Sequence, residues 1–376
     1  MARPILEREL TAPRRSTVGF DVATRADDAA IRLLLRRSPM AGRISITLER
    51  EPNYFADQPW PGTNKQTIVA RDQGQVVSVG SCTLRPCHVN GTVCRVGYLG
   101  GLRLDAHYAG RSDILRRGYS FFRELQVERP AEFYFTSIAT DNLRARRVLE
   151  RGSPGMPRYE FVGEFVTVLV PVGRATGAGV LESGVGPFEE QLFHANKYNL
   201  GRQFGPHWSG EESSTITRLG LAPGSFAAAS KEGRRVASAG IWDQRTYKQT
   251  VVRDYSPWLS RLRQVVNLGA WVVGEPRLPA IGLSIASAFV SHLAIETGAA
   301  DSFVALIRHL RKLAARAGIQ LLTFGFASAD PLLGVLRRHF RRREYASRLY
   351  VVSWPGIGCR ASELDGRPVS PEVALL

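Results

Sequence analysis

Between Val96 and Gly118 the chain reads VGYLGGLRLDAHYAGRSDILRRG, and this stretch restricts the local structure more than any other. An apolar run from Val96 to Leu104 is broken by Gly100-Gly101. Two glycines inside a strand point to a bulge, or to a place where another backbone or a ligand comes close. A short turn containing Gly110 follows. Then comes a helical segment with Leu115, Gly118, Phe121, Phe122 and Leu125 on or near one face. A strand that opens through a glycine turn into a helix offers backbone N–H groups at the positive end of the helix dipole. Such an end favours anions, phosphate above all.

A second segment extends the pattern. Phe133 to Ala139 (FYFTSIA) is aromatic and β-prone, as a buried strand is. After Asp141, the run NLRARRVLERG spaces Ala145, Val148 and Leu149 on one helical face and stops at Gly152.

Together these segments resemble the acyl-CoA-binding core of the GNAT superfamily of N-acetyltransferases. The resemblance implies an α+β fold, a mixed and mostly antiparallel sheet flanked by helices. It implies acetyl-CoA as co-substrate, its pantetheine arm between two splayed strands and its pyrophosphate on the following turn and helix. The family turn usually reads Arg/Gln-x-x-Gly-x-Gly/Ala. Here Ala109 stands where Arg or Gln is usual, Ser112 where Gly is usual, and Ile114 where Gly or Ala is usual. Carried over by position, the resemblance assigns CoA to Gly101, Leu102, Arg103, Leu104, Ala109, Gly110, Arg111, Ser112 and Asp113. Asn142 and Ala145 match the Asn-x-x-Ala of the family's fourth helix. Arg111 is expected to reach a phosphate, and an N–H near Leu102 to hold the thioester oxygen. Leu149 takes the place of the Tyr that often protonates the departing thiolate.

The chain has 376 residues, enough for two domains. The first, residues 1–172, reads as a strand (18–24), a helix (27–37), hairpin strands (66–71 and 76–84), a further Asn90-Gly91 hairpin, the glycine-broken strand, and a closing strand (159–172). The glycine-rich run GRATGAGVLESGVG places a linker at 173–187. Residues 188–356 repeat the order more faintly, so a tandem second GNAT-like domain is expected. Its turn, Glu296 to Asp301, carries a carboxylate at each end, unfavourable to a pyrophosphate, so this copy reads as degenerate and non-binding. Residues 357–376 read as a loose tail.

Net charge is +16, yet only five of the 50 basic residues are Lys, and the excess is scattered apart from Arg337, Arg338, Arg341, Arg342 and Arg343. That cluster reads as a solvated helix end, and nucleic acid is not the expected partner. No apolar run reaches the length of a membrane span and the N-terminus lacks a secretory apolar segment, so neither a membrane partner nor export is expected and the cytoplasm is the expected location. The spacings of Cys82, Cys87, Cys94 and Cys359 and of the seven histidines match no metal motif.

Acyl transfer by direct attack needs a neutral amine, an oxyanion donor and a proton for the thiolate. The glycine-broken strand holds no carboxylate between Cys94 and Leu104, so the segment EREPNYF is the place to look for proton carriers. Glu49, Glu51 and Asp57 are acidic candidates, and Tyr54 and Tyr159 are candidate acids. Glu51, Tyr54 and Tyr159 are taken as the catalytic expectation. The reading is an N-acyltransferase moving an acetyl or acyl group to an unidentified amine of a small molecule or protein, with self-association left open. The alternatives are a non-catalytic acyl-CoA-binding module and a tandem transferase that takes an aminoacyl group from charged tRNA.

Overall fold

The computed structural model describes residues 18–173, 182–183 and 187–376. In chain order the first half runs β1 (Gly19–Val22), α1 (Asp28–Arg36), β2 (Ile44–Glu49), β3 (Asn64–Asp72), β4 (Gln75–Val89), β5 (Thr92–Leu104), α2 (Ser112–Leu125), β6 (Phe133–Ala139), α3 (Leu143–Glu150) and β7 (Arg158–Pro171). The second half adds β8 (Glu182–Ser183), α4 (Phe188–Asn199), β9 (Gly205–Pro206), α5 (Ser213–Arg218), β10 (Phe226–Lys231), β11 (Arg234–Trp242), β12 (Gln249–Tyr255), α6 (Pro257–Val273), β13 (Ser287–Ile295), α7 (Ala300–Arg316), β14 (Leu321–Ala327), α8 (Pro331–His339) and β15 (Arg343–Ser353).

One sheet crosses the molecule in the order β1-β3-β4-β5-β6-β15-β7-β14-β13-β11-β10-β8, with β9 added to β4. Its centre is an exchange. β15, from the end of the second half, lies between β6 and β7, while β7, from the end of the first, lies between β15 and β14. The order therefore repeats outward from this centre, and each half is closed by the other's last strand. Two junctions are parallel, β5 with β6 and β13 with β14, and each holds for three residue pairs. The other pairs in this sheet are antiparallel.

The helices cover the sheet because their apolar residues recur at helical spacing. In α1, Ile31, Leu34 and Leu35 pack on Val69 and Val79. In α7, Phe303, Leu306, Ile307, Leu310 and Ala314 enter the largest core cluster with Val168, Leu322 and Phe324. α2 and α3 meet through Leu115, Tyr119, Ala145 and Leu149 over Ile138 and Tyr350.

Three parts depart from the sequence reading. Ile44–Glu49, where the sequence reading placed no element, is a strand that pairs with β12 in a small separate sheet. Between Trp242 and Leu283, where periodicity assigned no element, stand β12 and α6. The C-terminal residues are not loose: Val369, Val373 and Ala374 are buried, and residues 373–375 form a short 3-10 turn packed on β13 and β14. Most of the expected linker, 174–181 and 184–186, lies outside the described residues.

Candidate acyl-transfer site

β5 and β6 pair from Val96–Phe133 to Tyr98–Phe135 and then fork. Thr136 Oγ1 donates to Leu99 O at 2.7 Å at the crotch. The fork has a local cause. Opposite β4 the register slips between Val79 and Ser81, a β-bulge facing Gly100 to Arg103. Gly101 sits at φ +67°, the left-handed region that a side chain resists. A Cβ on Gly100 would lie 2.7 Å from the Tyr98 ring. The glycine pair thus lets β5 swing away from β6.

The fork opens into a cavity of about 1150 Å³. Gly101, Leu102, Arg103 and Leu104 line it, as do Ala109, Gly110, Arg111 and Ser112 at the entrance to α2. Gly110, at φ +98°, makes the turn. Asn142 and Ala145 line the opposite wall, where Asn142 Oδ1 accepts from Ala145 N at 3.1 Å and caps α3. Asp113 is absent from the lining: it faces Arg111, whose Nε and Nη2 donate to it at 2.7 and 2.8 Å. To reach a phosphate, Arg111 would have to release that half-exposed pair.

Among the three residues expected to be catalytic, the structure divides the set. Glu51 lies outside the lining, its carboxylate taken by Arg32 and Arg36 of α1. Tyr54 lines the cavity and is buried, with Lys65 Nζ 4.9 Å from its ring centre. Tyr159 also lines it, its hydroxyl bonded to that of Tyr119. Burial, then the neighbouring Tyr119, hold the Tyr159 phenol well above its ordinary pKa. Both phenols belong to the cluster around Leu149, so hydroxyls stand beside the position where the family's Tyr is replaced.

The far end of the cavity is a charged cluster, of which local sequence marks Asp57 but not its partners. Asp57 accepts from Arg50 at 3.0 Å and from Lys65 at 2.9 Å. Burial works to raise its carboxyl, but Lys65 and Arg50 outweigh that and hold it below the usual range. Lys248, from the loop before β12, joins this end. Its Nζ donates to Leu376 O at 2.7 Å and lies 5.0 Å from the Phe289 ring centre. Burial first, and then the Arg50 charge, push its ammonium down to about 7. Glu372 lines the cavity too, and burial raises its carboxyl to about 7 against the N–H bonds from Ala374 and His292. No spacing rule links residues 50, 57, 65, 248 and 372; only the folded chain gathers them.

The second half repeats the fork and fills it. β13 and β14 part after Phe289–Thr323, and β11 slips register between Ser238 and Gly240. The left-handed position is held by His292 at φ +54°. Burial pushes this imidazole down to about 3, so it is neutral, and it stacks on Trp208 at 4.0 Å. Its backbone N–H donates to Glu372 Oε2 at 3.3 Å, and Val373 lies against Gly325 of β14, where a glycine Cβ would come within 2.6 Å. Chain fills the space that stays open in the first half.

Two forked parallel junctions, each behind a bulged strand and before a helix, define two copies of the GNAT fold. The chain has the α+β fold of the GCN5-related N-acetyltransferases, in tandem. Its fold is similar to a GCN5-related N-acetyltransferase from Sphaerobacter thermophilus (TM-score 0.55, 12% identity, 91% of this chain and 98% of that one). It is also similar to the Saccharomyces cerevisiae N-myristoyltransferase solved with bound myristoyl-CoA (TM-score 0.58, 10% identity, 96% and 88%). No protein-family model and no curated sequence matches it.

Proposed function

We propose that the protein is an N-acyltransferase, taking an acetyl or longer acyl group from its CoA thioester to an amine. The observation that carries this reading is the β5–β6 fork, which opens a large cavity between a strand bulge and the N-terminus of α2. Pantetheine would lie in the fork, and the pyrophosphate on the Ala109–Ser112 turn, where helix N–H groups favour anions. The bulge N–H groups at Gly101 and Leu102 would face the carbonyl oxygen as it gains negative charge.

The amine attacks the thioester carbon, the C–N bond forms, the C–S bond breaks, and the sulfur leaves as thiolate. Lys248 takes the amine's proton, because it lines the charged end with Tyr54 and Arg50 and titrates near neutrality. The Tyr119–Tyr159 pair returns a proton to the thiolate. Glu51 has no part in this scheme.

A second reading is a module that binds acyl-CoA without turning it over. The Arg111–Asp113 pair, which occupies the expected phosphate ligand, favours it. Calorimetry with acetyl-CoA and CoA-thiol release over an amine panel separate the two. Binding with release supports the transferase, binding without release on any amine supports the module, and no binding overturns both.

A further inference from the structure

α6 is turned inside out. Of the residues described along it, Leu259 and Ala270 are buried, while Trp258, Leu262, Val265, Val266 and Leu268 face solvent. Val265 is 67% exposed and Leu268 78%, values that leave most of each residue in water. Their spacing puts Trp258, Leu262, Val265 and Val266 on one stripe, with Leu268 at its flank. The helix packs inward through Leu259 on Val252 and Tyr255, with Ile44 and Ile285 alongside. Beside it, Ile281 and Leu283 are also more than half exposed. Monomeric proteins rarely leave so many neighbouring apolar side chains uncovered without a partner.

The charge around this face has one sign in excess. From Ser256 to Gly274 the charged residues are Arg261 and Arg263, and no acid occurs. Arg277 follows and is exposed. At the far end of the helix Glu275 lies 3.7 and 3.8 Å from Arg341 and Arg343, two arginines to one carboxylate. Asp254, the acid just before the helix, accepts from the N–H of Tyr255.

We propose that α6 and its basic rim seat the protein on an anionic lipid bilayer, lying on the surface and not spanning it. An apolar helical stripe with arginines at its edge fits the headgroup boundary, where rings and aliphatic groups enter the lipid and guanidinium groups meet phosphate. No described helix is long and apolar enough to cross a membrane. Leu48, from the sheet that carries α6, and Met40, bridged to Ile46 of that sheet, line the cavity, so seating this face would hold one wall of the site at the lipid surface. This departs from the expectation, drawn from the sequence, of no membrane partner.

The test is flotation of the full chain with vesicles of phosphatidylcholine alone and of phosphatidylcholine with 30% phosphatidylglycerol, at low and high salt. Flotation with the anionic vesicles, weakened by salt, is expected. The double variant Val265→Glu/Leu268→Glu should lower the bound fraction about tenfold or more, and Arg261→Glu should lower it only on the anionic vesicles. Both sites are exposed, so circular dichroism should be unchanged. Absence of flotation overturns the proposal, as does equal flotation of the double variant. A dimer in light scattering that the double variant converts to monomer, with no flotation of either, also overturns it and assigns the face to a second copy.

Discussion

At the scale of the residue, two groups set the pH behaviour of the cavity. Glu372 has a folded pKa above its unfolded value, near 7 against 4.5. Its contribution to stability is complete below about pH 4.5 and is lost as pH rises to 7, because the unfolded chain releases the proton first. Lys248 has a folded pKa below its unfolded value, near 7 against 10.5. Between pH 7 and 10.5 the unfolded chain holds more protons, so this group adds stability as pH rises. The two together predict a dip in melting temperature near pH 7. Glu372→Gln should flatten the acid arm and Lys248→Met the alkaline arm, each read by thermal melts across pH 4–10. If Lys248 is the base, Lys248→Met should also cut turnover about 100-fold or more with little change in acetyl-CoA affinity. Glu372→Gln should leave most of the turnover. Tyr159→Phe should slow turnover as well, without weakening acetyl-CoA binding.

At the scale of the element, the fork depends on two glycines with different duties. Gly101→Val should cost about 1–2 kcal/mol, because a β-branched residue resists φ +67°. Denaturant melts measure that loss. Gly110→Glu puts a carboxylate on the turn proposed to hold the pyrophosphate, where no atom beyond the chain neighbours lies within 4 Å of a Cβ. A side chain at φ +98° should cost stability, as at Gly101. The carboxylate should abolish acetyl-CoA binding in calorimetry, while Gly110→Ala, equally strained but uncharged, keeps more of it. These elements were legible because each is made locally: a strand broken by Gly100-Gly101, a turn at Gly110, and helices with apolar residues at helical spacing. FYFTSIA is strand β6 over the same residues, 133–139. α6 was not legible for the opposite reason. Its apolar stripe faces solvent while Leu259 and Ala270 carry the packing, so the apolar pattern does not mark the buried face.

At the scale of the whole molecule, the halves are joined by strand exchange and by a buried ion pair. Arg85 of β4 donates to Glu212 at 2.9 Å, and Trp60 Nε1 donates to the same carboxylate at 2.7 Å. Arg85 and Glu212 are both buried. Glu212→Ala would leave the Arg85 charge and the Trp60 indole without their partner, and should destabilise the protein by about 3–5 kcal/mol in urea melts. Replacing both residues of the pair with apolar ones of similar size should cost much less. A fragment ending at Gly173 lacks β15, which leaves an edge of β6 and of β7 unpaired. It should self-associate or aggregate on gel filtration.

The sequence by itself determined the local pieces: two series of strands and helices in the same order, a bulged strand, a glycine turn before a helix, and a second turn flanked by carboxylates. Each is set by neighbours within a few residues, through backbone freedom at glycine, side-chain periodicity and helix-end charge. The tertiary structure alone decided which strand closes which half, what fills the second fork, and which charges meet in the first. Tyr54 reaches the cavity and Glu51 does not, although only Pro52 and Asn53 separate them, because α1 presents Arg32 and Arg36 to Glu51 while Tyr54 turns into the cavity. Lys248 is pushed down to about 7 because the fold takes it out of water against Phe289 and the C-terminal residues and sets the Arg50 charge near it. Such long-range burial and charge have no trace in local pattern.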